Sequence, residues 1–283
     1  MLNLPKYVDD DGQPTYLAKD VEDHLNAQQR KRDAYKAKQE KESAIYRKNQ
    51  KAFLKVSTKE MNNINKGISL VDAGLFFRLT MNMQLRTGSM LVDRVSGGEA
   101  QPLTQTDMQK LLNKSNRGIK KVLMRLEELS VIRKEKQGRR AVYFVNENIV
   151  SIGKQKNAQP FAKVYKVKAK EMLNDLTDSE VGLLLKLMPY ANYHYLTLTH
   201  NPTEADPKKA KPLRMQEVAE LVGITEQSFN VLVSKLKRKY ALATLDTGTK
   251  GKALIINPYL CDRGNDSKTI EAIVSANFRL MEN

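Results

Sequence analysis

One cysteine, three histidines and no long apolar run set the first limits on this chain of 283 residues. Cys261 has no partner for an internal disulfide and is read as a small buried apolar residue. His24, His194 and His200 form no His-Glu-x-x-His, and no Cys-x-x-Cys accompanies them. Paired histidines of the kind a metal-dependent nickase uses are also missing. His194 and His200 flank a strand candidate and read as loop or core residues. No enzyme, cofactor or metal is therefore expected. No run approaches the roughly 20 apolar residues of a membrane span, and Met1-Leu2-Asn3-Leu4-Pro5-Lys6 lacks the apolar core of a signal peptide. The expectation is a soluble, cytoplasmic protein without a membrane partner.

Acidic residues are outnumbered, 32 against 48 Lys and Arg, which leaves a formal charge of +16 and a pI of about 9.7. Such an excess suits a polyanionic partner that releases counterions on binding, and is also found in chains that are merely soluble or that bind membranes.

The chain also repeats itself. Phe53, Lys55 and Val56 return as Phe161, Lys163 and Val164, and Gly74-Leu75-Phe76-Phe77-Arg78-Leu79 returns as Gly182-Leu183-Leu184-Leu185-Lys186-Leu187, an offset of 108 (161 minus 53). Pro102-Leu103 returns as Pro212-Leu213, Ser115 as Thr225 and Leu126 as Leu236, an offset of 110 (212 minus 102). Two residues gained in one loop account for the drift, because loops tolerate insertion and cores do not. A repeat of this length is a duplicated domain, each copy with a core of its own.

In the first copy, Val71 to Met83 predicts a helix with an apolar face at Leu75, Phe76 and Leu79, followed by a short strand at Met90-Leu91-Val92. Thr104 with Asp107 three residues on marks a capping box. That second helix runs through Leu111-Leu112, breaks at Asn113-Lys114, and Ser115 caps a third. Ile119, Val122, Leu123, Leu126 and Leu129 form the buried stripe of the third helix. Its other face carries Asn116, Arg117, Lys120, Lys121 and Met124, the division that a helix entering a major groove needs. Val131 to Lys136 and Ala141 to Val145 are strands of a hairpin, with Arg139 and Arg140 at its tip placed as in a wing that touches phosphate.

The second copy repeats the plan with Asp178 to Tyr190, the strand Tyr195 to Leu198, a long loop from Asn201 to Pro212, and a helix from Gln216 to Val222 ended at Gly223. Thr225 caps a third helix whose buried stripe is Phe229, Leu232, Val233 and Leu236. Gln227, Asn230, Val231, Ser234 and Lys235 face outward. Asn and Gln pair bidentately with adenine, so this copy is expected to read bases while the first anchors to phosphate. Its wing runs from Thr244 to Ile256 with Lys250 and Lys252. A phosphate loop at Gly251-Lys252 is excluded because Asp246 stands where the upstream glycine belongs and no Ser or Thr follows.

The fold class expected is α+β, mainly α: tandem duplicated winged-helix domains with an N-terminal basic helical arm. The arm and a hairpin occupy 1–52, the first domain 53–150, a linker 151–160, the second domain 161–264 and a C-terminal helix 265–283. Asp-Gly at Asp11-Gly12 turns the hairpin. A calcium loop is excluded there, since Gly12 at its sixth position would put Tyr7 first and Ala18 twelfth. The stretch from Ala18 to Lys51 is helix-prone and carries Arg30-Lys31-Arg32, Lys36, Lys38 and Lys41. The Ser267 to Met281 helix packs on the second domain or mediates a homodimer. The nine residues from Ser151 to Gln159 reach about 30 Å at most, close to one duplex turn. Two half-sites in direct orientation about 10 base pairs apart are expected.

The stretch from Phe161-Ala162-Lys163-Val164-Tyr165 through the helix-turn-helix to Ile256-Asn257-Pro258-Tyr259-Leu260 and Gly264 resembles the RepL replication proteins of small plasmids of Gram-positive bacteria, and related winged-helix proteins of phages and plasmids. The first copy is similar more distantly. The resemblance implies DNA binding, with replication initiation at repeated sites as its expected use. A transcriptional regulator, and a DNA-organising or adaptor protein, are the alternatives, with replication or transcription machinery as partners.

Overall fold

The computed structural model describes residues 7–8, 10, 14–15, 23, 25–34, 53–85, 87–93, 100–138, 140–153, 160–206, 208–246 and 252–263. The chain divides into two compact units, Met1–Lys51 and Ala52–Asn283. In the first unit β1 (Tyr7–Val8) pairs antiparallel with β2 (Pro14–Thr15), as the Asp-Gly turn predicts. Helix α1 (residues 25–34) is exposed throughout, with Arg30, Lys31 and Arg32 in solvent. Lys36, Lys38 and Lys41 lie outside the described residues, as does the expected C-terminal helix.

The second unit is a mixed α/β body of helices and small antiparallel sheets. Its first half runs β3 (Phe53–Ser57), α2 (Thr58–Ile64), α3 (Leu70–Thr80), β4 (Val92–Asp93), β5 (Gln101–Pro102), α4 (Gln105–Leu112), α5 (Asn116–Glu128), β6 (Ile132–Gln137), β7 (Arg140–Val145) and β8 (Val150–Ile152). Its second half runs β9 (Phe161–Tyr165), α6 (Lys166–Asn174), α7 (Asp178–Leu187), a 3-10 turn (Met188–Tyr190), α8 (Met215–Val222), α9 (Glu226–Arg238), β10 (Leu242–Asp246), β11 (Lys252–Ile256) and β12 (Cys261–Asp262).

Local chemistry explains the helix bounds. Ser69 and Ser115 accept backbone N–H bonds at the starts of α3 and α5, and Thr225 does so for α9. Thr104 with Asp107 and Thr177 with Glu180 close full capping boxes. Asn113 and Gly223 end α4 and α8 at φ 47° and 76°. These are the residue types that enter the left-handed region with least strain. Equivalent left-handed residues, Ser130 (φ 54°) and Tyr240 (φ 55°), turn the chain out of α5 and α9 into the hairpins. In the first hairpin Gly138 takes φ 59°.

The short strands after α3 and α7 consist largely of single bridges. Met83 bridges Leu91, and Met90 bridges Phe144 of β7. In the second half, Thr197 bridges Ile255 of β11 and Thr199 bridges Pro212, so this segment is centred on 197–199. The strand expected at Tyr195 to Leu198 is displaced because Tyr193 to Tyr195 form a turn and Leu196 has φ 58°.

The two halves share one sheet, ordered β12-β9-β3-β8. Strands β3 and β9 are antiparallel, with Phe53 opposite Tyr165, Lys55 opposite Lys163 and Ser57 opposite Phe161. The repeat carries residue 53 to 161, 55 to 163 and 57 to 165, so this register maps onto itself when the halves are exchanged. Outer strands follow suit: Val150 of β8 lies opposite Val56, and Cys261 of β12 opposite Val164. A two-fold rotation between Lys55 and Lys163 therefore relates the copies. It continues through α3 and α7, which pack at Gly74 and Gly182. A Cβ on Gly74 would collide with the Asp178 carbonyl oxygen, and one on Gly182 with the Leu70 carbonyl oxygen. Residues 70 and 178 are themselves equivalent.

This arrangement corrects the tethered-module expectation. Ser151 and Ile152, expected in the linker, belong to β8. At the other end, the Pro160 carbonyl accepts from the backbone N–H and hydroxyl of Thr58. Both ends of the connection are thus fixed in the shared sheet, and the copies are related by rotation where a head-to-tail translation was expected. Helices α2 and α6 follow β3 and β9 directly and are further additions. Each is short, and α2 buries only Met61, so neither leaves a strong apolar period.

Candidate nucleic-acid interface

Each half offers one helix divided between core and solvent. In α5, Ile119, Val122, Leu123 and Leu126 are buried, while Asn116, Arg117, Lys120, Lys121 and Met124 are exposed. In α9, Phe229, Val233 and Leu236 are buried, with Gln227, Asn230, Val231, Ser234 and Lys235 exposed. Both helices have 13 residues, about 20 Å at 1.5 Å per residue. Because they are exchanged by the two-fold, they stand at the same height along its axis.

Paired charges lock each of these helices to its scaffold. Arg125 of α5 donates to both carboxylate oxygens of Asp72 on α3, at 2.9 and 2.5 Å. That fork raises the Arg125 pKa further above its ordinary value. The acid equivalent to Asp72, Glu180 on α7, lies 3.1 Å from Lys239, just after α9 and four residues beyond Lys235, the counterpart of Arg125. Burial pushes Glu180 upward, but the Thr177 N–H and the Lys239 ammonium outweigh it and hold the carboxyl below its usual range. Asp72 and Glu180 stand at the third position of their helices, 108 residues apart. The sequence reading missed both pairs, although the acid at that position recurs in each copy.

The halves are also bound across the two-fold close to these helices. Lys114, two residues before α5, lies 2.9 Å from Asp178 at the start of α7, and Arg78 reaches the same carboxylate at 3.1 Å. Arg78 further donates to the Leu173 and Leu176 carbonyls. In return, a Cβ built on Gly223, in the turn before α9, would lie 4.0 Å from Lys66 of the first half. The turns leading into α5 and α9 thus each meet the opposite half.

The remaining expected contact residues are placed as follows. Asn116 opens α5, and its side-chain oxygen accepts from Gln105 of α4 at 2.6 Å, so part of its capacity holds two helices together. Arg140 is exposed as the first residue of β7, and Lys252 as the first of β11. Arg139 and Lys250 lie outside the described residues. Beyond Ile132, every residue of β6 is exposed, which adds Arg133, Lys134 and Lys136 to the cationic surface of the first hairpin. Arg133 stacks 4.2 Å from the Phe144 ring centroid. Consecutive charges in Arg133-Lys134-Glu135-Lys136 were the available signal, since a strand covered on one face would alternate.

His194 and His200 are exposed loop residues, and His200 lies 3.3 Å from Glu217. Cys261 is buried, as expected, and burial pushes its thiol up to about 12. Among the described residues no three His, Cys, Asp or Glu side chains are grouped to hold a metal ion. None of the described helices is long and apolar enough to cross a membrane. Compared with protein-family models, curated proteins and solved structures, the chain has no match.

Proposed function

We propose that this chain binds duplex DNA as a single-chain, two-fold pair of winged-helix modules, with α5 and α9 as the helices that enter the major groove. The observation that carries the reading is the division of each helix into a face buried in its own module and an exposed face of Arg, Lys, Asn and Gln. A helix, a short strand, two helices and a hairpin follow one another in each half, the order a winged helix requires. The exposed cations of β6 and the net charge of +16 favour a polyanion. The two copies present different side chains: two lysines, an arginine and one asparagine on α5, and a glutamine, an asparagine, a serine and one lysine on α9. The target on this reading is a duplex with two half-sites in inverted orientation and of unlike sequence, read by one chain.

Neutralising about six phosphates gives a slope near −5 for log affinity against log salt, from about −0.9 per phosphate. Anisotropy titrations with duplexes selected from a random pool measure both slope and site. A slope shallower than about −2 removes the proposed DNA face, and selected sites in direct orientation contradict the two-fold reading of it.

Replication initiation on a plasmid or phage, in the cytoplasm and at the nucleoid, is the role proposed from the resemblance of residues 161–264 to RepL proteins. Mapping bound DNA in a host separates this role from the others. Several repeats beside its own gene fit an initiator, one promoter-proximal site fits a regulator, and no preferred site fits an organiser or adaptor.

A further inference from the structure

The loop between the bridge residue Thr199 and helix α8 is built to hold cations outward. Asn201 clamps it by donating to the Lys209 carbonyl at 3.1 Å and accepting from the Lys211 N–H at 2.9 Å. Asn192 donates to the Glu204 carbonyl at 2.9 Å, and Tyr195 donates to the Ala205 carbonyl. Its carboxylates bond to the backbone. Glu204 accepts from the Asp206 N–H and Asp206 from the Lys208 N–H, each at 2.9 Å. Glu217, on α8, takes the Arg214 N–H at 2.6 Å, and this bond, with His200 beside it, holds its carboxyl below the usual range. Lys209, Lys211 and Arg214 remain exposed around an open cleft of about 720 Å³ that Asn201, Glu204 and Lys208 also line.

The position of this cleft identifies its occupant. Helix α8 spans 8 residues, about 12 Å, between the loop and the Gly223 turn into α9. When the second helix of such a pair lies in the groove, the first crosses the sugar–phosphate backbone. With α9 in a groove, as the DNA-binding reading has it, the loop would lie over backbone that flanks the α9 half-site, outside that groove. In sequence the first copy differs here, since Asp93-Arg94-Val95-Ser96-Gly97-Gly98-Glu99 carries one arginine against two acids.

We infer that Lys209, Lys211 and Arg214 form a phosphate clamp on duplex DNA that extends contact on the side of the second module. The inference rests on the DNA-binding reading above. It is tested in the full chain with Lys209→Ala and Lys211→Ala together, since the bonds that shape the loop at these positions come from the backbone. Loss of two phosphate contacts should make the salt slope shallower by about 1.8, with the ratio of specific to random binding unchanged. Hydroxyl-radical protection should recede on the flank beyond the α9 half-site and persist on the other. A double Glu variant should recede further on that same flank. A slope within about 0.5 of the parent's, equal loss on both flanks, or a collapsed specificity ratio overturns the clamp while leaving DNA binding in place. If the parent protein binds no duplex, the clamp and the reading beneath it fail together.

Discussion

Residue by residue, the two-fold leaves one charge without a carboxylate partner among the described residues. Arg78 and Lys186 are equivalent, and so are Leu176 and Ile68. Arg78 donates to the Leu176 carbonyl at 2.5 Å, and Lys186 to the Ile68 carbonyl at 2.8 Å. Arg78 also has the Asp178 carboxylate, whereas the residue equivalent to Asp178 is Leu70. Lys186 is thus 2% exposed with Asn65 and Tyr190 nearby, and burial pushes its ammonium down to about 8. For a lysine whose folded pKa lies below the ordinary 10.5, the charge opposes folding below pH 8. This opposition is relieved as pH rises from about 8 toward 10.5, by roughly 3 kcal/mol at full relief. Chemical denaturation at pH 7.5 and 9.5 should show the parent gaining stability relative to Lys186→Met. The window stops short of where Tyr190 and Tyr143, both pushed up by burial, would lose protons. A parent and variant that change in parallel would contradict a buried charged lysine.

At the scale of elements, the legible parts were those whose physics is local. Capping at Thr104, Ser115 and Thr225, the helix stops at Asn113 and Gly223, and the stripes of α5 and α9, except Leu129 and Leu232, which are only half-buried, all follow from neighbouring residues. The shared sheet was not legible, because the pairing of Phe53–Ser57 with Phe161–Tyr165 depends on residues about a hundred positions apart. Nor was the locking of α5 by Asp72 or of α9 by Glu180. The contrast between the outer faces remains the element-scale test. Lys120→Ala with Lys121→Ala should weaken binding to specific and random duplex alike. Gln227→Ala with Asn230→Ala should instead lower discrimination, by about 1 to 3 kcal/mol for each bidentate amide–base pairing that the substitutions remove. Competition titrations measure both, and loss of discrimination in the lysine pair alone would reverse the roles of the two helices.

For the molecule as a whole, the close approach at Gly74 and Gly182 determines whether the halves act as one body. Neither position has room for a methyl group, because backbone atoms of the opposite half occupy that space. Relief in Gly74→Ala would require α3 and α7 to part, and with them the β3–β9 pairing that shares their axis. The expected cost reaches or exceeds the upper end of ordinary overpacking, about 3 kcal/mol. The same coupling predicts that the two halves of the parent unfold together, since neither can leave without breaking the common sheet and the Arg78–Asp178 and Lys114–Asp178 pairs. Two fluorescent labels, one on each hairpin, should report one transition in guanidinium for the parent. In Gly74→Ala both midpoints should fall, and binding to the two-site duplex should weaken more than binding to either half-site alone, because the fixed orientation of α5 and α9 is what links the two contacts. Two separated transitions in the parent would instead return the copies to independent modules on a tether.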